Sequence, residues 1–171
     1  MNLYYLFLTG DILTAMESLK VKIVSLDDNL QVLSEQINQA AWDDDNDVYD
    51  YSSESLKAYL KKEDTFFIAC YLTEYNQKTL AGISSGRIEQ KPYDFCRWLY
   101  IDEVDTCSNH RRKGVATAMM RALLQLAKDR DCKEIWLGTE SNNLIARRFY
   151  ESLNPGNIRD VIGFTFEISP A

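Results

Sequence analysis

The order in which hydrophobic periodicities change along this chain predicts a mixed α/β domain built on one sheet, with helices on both faces. Three observations carry the prediction. Runs rich in β-branched and aromatic residues alternate with apolar stripes at helical spacing, in the order β-α-α-β-β-β-α-β-α-β. A basic, glycine-containing turn, His110-Arg111-Arg112-Lys113-Gly114, joins a strand to an amphipathic helix. No repeat, low-complexity tract or interdomain linker interrupts the pattern, and 171 residues suffice to bury one core.

The elements follow in order. Asn2 to Leu8 is an apolar run ending at Thr9-Gly10-Asp11. It is too short to span a bilayer. With no Lys or Arg ahead of it and no small-x-small cleavage site, it is a poor signal peptide. Residues 1–18 are expected to be an N-terminal extension, with Met16 a candidate true start, ahead of a single domain over residues 19–171. An accessory strand or hydrophobic arm is the alternative. Val21 to Ser25 reads as the first strand. A helix starts at Leu26-Asp27-Asp28 and runs to about Ala41, with Leu30, Leu33, Ile37 and Ala40 as its stripe. Ser52 or Ser53 caps a second helix bearing Leu56, Tyr59 and Leu60 on one face.

Thr65 to Leu72 is the second strand, Glu74 to Lys78 a turn, and Thr79 to Glu89 the third strand. Gly82 and Gly86 within it signal bulges or a close backbone approach. Phe95 to about Thr106 is the fourth strand. Val115, Ala118, Met119, Ala122, Leu123 and Leu126 mark the third helix. Lys133 to Thr139 reads as the fifth strand and Asn142 to Leu153 as the fourth helix. Asp160 to Ile168, with Val161, Phe164, Phe166 and Ile168 apolar, is expected to supply a last strand.

Composition narrows the function classes. The net charge of −7 disfavours nucleic-acid binding, which depends on phosphate contacts, and favours a cationic partner. The four cysteines form no C-x-x-C pair, and with His110 as the only histidine no zinc constellation can be assembled, so no metal is expected. Free thiols in a cytoplasmic protein that engages no membrane are the simple reading. Cys107 would be a nucleophile only if His110 folded back onto it.

The basic turn carries the chemistry. The first turn of a helix offers unpaired N–H groups and the positive end of the dipole, which together bind phosphate. Gly114 lets a ligand approach the backbone, Ala116 keeps that surface low, and Arg111, Arg112 and Lys113 add charge. Neither G-x-x-x-x-G-K-[ST] nor G-x-G-x-x-G is present, which argues against a triphosphate P-loop and a dinucleotide site. The pattern that fits is [QR]-x-x-G-x-[GA], over Arg111 to Ala116.

This stretch resembles the acetyl-CoA pyrophosphate loop of the GNAT superfamily of N-acetyltransferases. A second block strengthens the likeness: Asn143, Ala146, Phe149 and Tyr150 stand in the register of the superfamily's N-x-x-A-x-x-[FL]-Y segment, one strand after the glycine loop. The resemblance covers about Leu19 to Ile168. It implies a GNAT fold, a mixed and mostly antiparallel sheet splayed between strands four and five, with the thioester cofactor wedged there. It implies that Arg111, Arg112, Lys113, Gly114, Val115, Ala116 and Thr117 hold the pyrophosphate. Val104, Asp105 and Thr106 would pair with the pantetheine arm through their backbone, and Asn143 and Ala146 would add to the cofactor site.

Acetyl transfer by direct attack needs a neutral amine, a stabilised carbonyl oxygen and a proton for the leaving thiolate. No protein nucleophile is required, which suits a chain without a Ser-His-Asp arrangement. Glu103 stands where the superfamily carries an acidic residue on strand four. It is the first candidate to accept the amine proton or else to bind a cationic substrate; Asp102 and Asp105 are runners-up as base. Tyr150 is the corresponding candidate general acid, against the alternative of a core tyrosine beside Phe149. Asp43, Asp44 and Asp45, between Trp42 and Tyr49 in the loop joining the first two helices, are candidates with Asp102 to bind the acceptor. A solvated acidic loop is the competing reading.

Tyr100 to Glu103, His110 to Ala118, Phe149 to Leu153 and Val161 to Ile168 look most like the aminoglycoside 3-N-acetyltransferase branch, which would imply an aminoglycoside-like amine as substrate and a part in antibiotic resistance. Glu103 in place of Asp, and Asn154-Pro155-Gly156-Asn157 in place of a short Gly turn, depart from that branch. Another amine (a polyamine, an amino-acid-like metabolite or a protein amine) and a non-catalytic acyl-CoA binding module are the alternatives. The assembly state stays open, a homodimer among the options.

Overall fold

The structure, a computed structural model, describes residues 18–43 and 48–168. The expected extension lies outside these residues, Ser18 apart. So do Asp44 and Asp45 of the acidic loop.

The first compact unit runs to Leu137. Its sheet has five strands in sequential order: β1 (Ser18–Ile23), β2 (Thr65–Glu74), β3 (Gln77–Gln90), β4 (Arg97–Thr106) and β5 (Cys132–Trp136). β1 to β4 are antiparallel neighbours, and β4 and β5 run parallel, as a helical crossover between them requires. The helices are α1 (Leu30–Gln39), α2 (Ser53–Leu60) and α3 (Val115–Asp129), with one 3-10 turn at Ser108–His110. The β2–β3 hairpin turns on Tyr75 and Asn76, both at positive φ (50° and 64°).

Both faces of the sheet are covered. On one, Leu30, Leu33 and Ile37 of α1 and Leu56 of α2 bury against Phe67, Ala69, Leu80 and Ile83. Side chain caps start both helices: Asn29 accepts from Val32 N, and Ser52 and Ser55 form a capping box. On the other face α3 buries Val115, Met119, Met120, Leu123, Leu126 and Ala127. Gly82 makes that approach possible, since a Cβ there would lie 2.7 Å from Asp105 O and 2.9 Å from Met119 Cε and Val115 Cγ1. Gly86 is tighter still, with Tyr100 O only 2.1 Å from where its Cβ would stand. Bulges occur beside both glycines, between Cys70 and Tyr71 on β2 and at Asp102 on β4, opposite the Ser85–Gly86 step.

The splay expected between β4 and β5 is present. The two strands pair only over Arg97–Tyr100 and Cys132–Trp136. From Ile101 to Thr106, β4 pairs with β3 alone, so its other edge is open among the described residues.

The second unit runs from Gly138. It contains α4 (Leu144–Ser152), started by Asn143, whose side chain accepts from Ala146 N at 3.0 Å. Asn154, at φ 54°, takes the left-handed position after the helix that a glycine would otherwise fill. The strand expected over Asp160–Ile168 is not formed: the segment has no strand assignment, and Val161, Phe164, Phe166 and Ile168 are 67–88% exposed. Alternation says which side chains would share a covered face; a strand exists only when a neighbour takes up its backbone N–H and C=O groups, and none does so among the described residues.

Candidate active site

Two features of the first unit meet at the end of β4. One is the open strand edge at Ile101–Thr106, which carries Val104, Asp105 and Thr106. The other is the start of α3. Its N-cap is Gly114, at φ 81°, a conformation that any Cβ strains, and no side chain caps the helix. Arg112, two residues earlier, is also left-handed, at φ 63°. The orphan N–H groups of Val115, Ala116 and Thr117 thus open onto a turn carrying Arg111, Arg112 and Lys113, all exposed. Two of these cations face carboxylates: Arg111 pairs with Asp43, and Lys113 with Glu74. The arrangement fits a phosphate-bearing cofactor whose arm lies along a strand edge: unsatisfied helix donors, surrounding cations and a free row of backbone groups.

Across β4, on the face covered by α1 and α2, a cavity of about 210 Å³ is lined by Tyr51, Ser55, Leu56, Tyr59, Phe67, Ser85 and Glu103. Glu103 Oε1 accepts a hydrogen bond of 2.9 Å from the Tyr51 hydroxyl. Tyr59 donates to Gly86 O at 2.7 Å. Burial, followed by the charge of Glu103, pushes the Tyr51 phenol far above its ordinary range, and burial raises Tyr59 too, so both remain donors. Asp105 follows Glu103 on the same face, paired with Ile83 as Glu103 is with Ser85. Burial first, and then the Glu103 charge, push its carboxyl up to about 6.

The other candidates are dispersed. Asp102, the bulged residue, turns to the surface and pairs with Arg87, which also holds Glu89 at 2.6 Å. Asp43 is engaged with Arg111 of the glycine turn. Trp42 donates its indole N–H to Ile37 O at 2.8 Å and closes the end of α1, while Tyr49 is 80% exposed. In the second unit, Tyr150 is half-buried with its ring 5.2 Å from that of Phe149, and Arg147 bonds Ser141 O at 3.1 Å. Cys107 has no base: its thiol points at Leu80 O, burial pushes it up to about 12, and His110 Nε2 instead lies 3.2 Å from Thr79 Oγ1. Nothing in the local sequence singles out Tyr51, Asn38, Ser55 or Ser85. Strand alternation, which sets Glu103 and Asp105 on one face, is the one signal that points to this side of β4. Among the described residues no group of His, Cys, Asp and Glu is placed to hold a metal, and no helix is long and apolar enough to cross a membrane.

A five-stranded sheet splayed after β4, with an uncapped glycine turn at the splay, defines a class of coenzyme-dependent acyltransferase folds. The acetyltransferase (GNAT) family model matches residues 33–154, and the chain belongs to that family. Human N-acetyltransferase 8 is 28% identical over 101 residues, which are 59% of this chain and 43% of that protein, so the chain spans less than half of that relative's length. An aminoglycoside acetyltransferase from an uncultured soil metagenomic sample, solved in complex with sisomicin, superposes with a TM-score of 0.70 at 15% identity, covering 88% of this chain and 97% of the other. A transcriptional regulator from Bacillus halodurans C-125 superposes almost as well, with a TM-score of 0.67 at 17% identity over 87% of this chain and all (100%) of its own. At such identities the likeness establishes the fold.

Proposed function

We propose that the protein transfers the acetyl group of acetyl-CoA to a primary amine of a small cationic acceptor by direct attack on the thioester. The observation that carries the reading is the open β4 edge at Ile101–Thr106 beside an α3 start that no side chain caps, in a chain of the GNAT family. The coenzyme's thioester supplies the activated acetyl group. Arg111 to Thr117 hold its pyrophosphate, with Val104, Asp105 and Thr106 along its arm. Glu103 accepts the proton that the amine nitrogen loses as it bonds the carbonyl carbon. The C–S bond breaks, and Tyr150, assigned by its place in the helix motif with Asn143 and Ala146, gives a proton to the departing sulfur.

The net charge of −7 and the carboxylates at positions 44 and 45 support a cationic acceptor. The structural likeness to an aminoglycoside acetyltransferase agrees with an aminoglycoside-like one. A second reading gives the base to Asp105, because a carboxyl held near 6 is matched to proton transfer at neutral pH.

Release of free thiol from acetyl-CoA across a panel of aminoglycosides, polyamines and lysine peptides tests the reading. Amine-dependent release, strongest with polycations, is expected. Tight acetyl-CoA binding with no release on any amine would make the protein an acyl-CoA binding module instead.

A further inference from the structure

We propose that Tyr51 and Asn38 are positioning residues for the Glu103 carboxylate, forming a relay from α1 through the α1–α2 loop to β4. The inference rests on Glu103 acting as proton acceptor.

Asn38 lies in the last turn of α1, exposed, and its amide closes a two-point clamp on the Tyr51 backbone. Nδ2 donates to Tyr51 O at 2.9 Å, and Oδ1 accepts from Tyr51 N at 2.9 Å. The pair of bonds mimics one rung of an antiparallel ladder and fixes both backbone groups of the residue. Directly after it, the Ser52–Ser55 capping box starts α2. Tyr51 is therefore held from α1 on one side and α2 on the other. An edge contact with Phe67, with ring centroids 5.7 Å apart, sets the ring's direction.

The ring delivers its hydroxyl to Glu103 Oε1 at 2.9 Å, across 52 residues of sequence. A hydrogen bond donated to a carboxylate favours its ionised form and removes one rotational freedom. The groups facing this carboxylate are Tyr51 from the loop, Tyr59 from α2, and Asp105 two residues along β4. Both phenols stay protonated at working pH, and the Asp105 charge opposes that of Glu103. Tyr51 is thus the group that holds the Glu103 carboxylate in place.

The test uses the amine that gives the fastest thiol release in the panel and compares pH–rate profiles of the wild type, Tyr51→Phe, Asn38→Ala, Glu103→Gln and the Tyr51→Phe/Glu103→Gln double variant. Tyr51→Phe keeps the Phe67 contact and removes only the hydroxyl. It should lower kcat about tenfold, leave KM for acetyl-CoA unchanged and move the rising limb of the profile to higher pH. Asn38→Ala should move the limb the same way with a smaller loss, at a melting temperature that still reports a folded protein.

In the Glu103→Gln background, Tyr51→Phe should cost nothing further, because the two act through one carboxylate. A purely structural tyrosine would instead give additive losses and an unmoved profile, and that result overturns the relay. If Tyr51→Phe matches the wild type while Glu103→Gln loses its rising limb, the relay fails and Glu103 keeps its role. If Glu103→Gln retains the wild-type profile, the base assignment falls and the relay with it.

Discussion

Asp43, from the loop that follows α1, forms an ion pair with Arg111, the first residue of the glycine turn. The same two segments are joined again where Ser108 donates its backbone N–H to Ala41 O at 2.7 Å and its hydroxyl at 3.0 Å. The start of this loop is thereby tied to the proposed pyrophosphate site, where a carboxylate and a phosphate would compete for one guanidinium. Asp43→Asn should tighten coenzyme A binding. Both side chains are partly exposed, and such pairs are worth up to about 1 kcal/mol, so roughly fivefold in Kd is the ceiling. Calorimetric titrations should show the gain at low salt and its loss at high salt; a weaker-binding Asn variant would mean that Asp43 orients Arg111 for the phosphate.

Gly114 is the residue of the turn that tolerates least. At φ 81°, any side chain is strained there even though the nearest atom to a Cβ, Leu19 Cδ1, is a comfortable 3.7 Å away. Gly114→Ala should cost about 1 kcal/mol of stability and keep most of the thermal shift that acetyl-CoA produces. Gly114→Glu should abolish the shift by adding a negative charge beside the phosphates. An undiminished shift in the Glu variant would move the cofactor elsewhere.

Asp105 links pH to stability. Its carboxyl titrates near 6 in the folded chain and near 3.8 when unfolded. A raised folded value means that the carboxyl contributes stability below pH 3.8 relative to higher pH, and that this is lost as pH rises through 6. The difference amounts to roughly 3 kcal/mol on the usual conversion. Asp105→Asn should therefore raise the melting temperature at pH 8 and do little at pH 4. Glu103→Gln removes a like charge and should move the Asp105 transition to lower pH. Melting curves between pH 4 and 8 check both.

Tyr150→Phe should reduce kcat by about 10²-fold or more if the phenol protonates the leaving sulfur, with coenzyme affinity little changed. Single-turnover rates separate this from slow product release. A Phe variant with the wild-type single-turnover rate would leave Tyr150 as the packing partner of Phe149.

Most of the element order could be read from local pattern, because each helix stripe and strand alternation records which side of a segment is covered. Val115, Met119, Leu123 and Leu126 were recognisable as a buried stripe, and they are buried under the sheet. Ser52 or Ser53, and the Asn142-Asn143 pair, mark helix starts by their chemistry alone; the structure selects Ser52 and Asn143 as the caps. The same logic fails at Asp160–Ile168, where alternation names a face and nothing among the described residues pairs with the backbone.

The glycine turn, its cations and the acidic run Asp102, Glu103 and Asp105 are legible from residue identity, since each depends on neighbours within a few positions along the chain. The Tyr51–Glu103 hydrogen bond, the Asp43–Arg111 pair and the raised Asp105 carboxyl did not. Each joins groups from distant segments or depends on how much water is excluded around a side chain. Packing of the α1–α2 loop over β4 sets those quantities, and no local spacing encodes them.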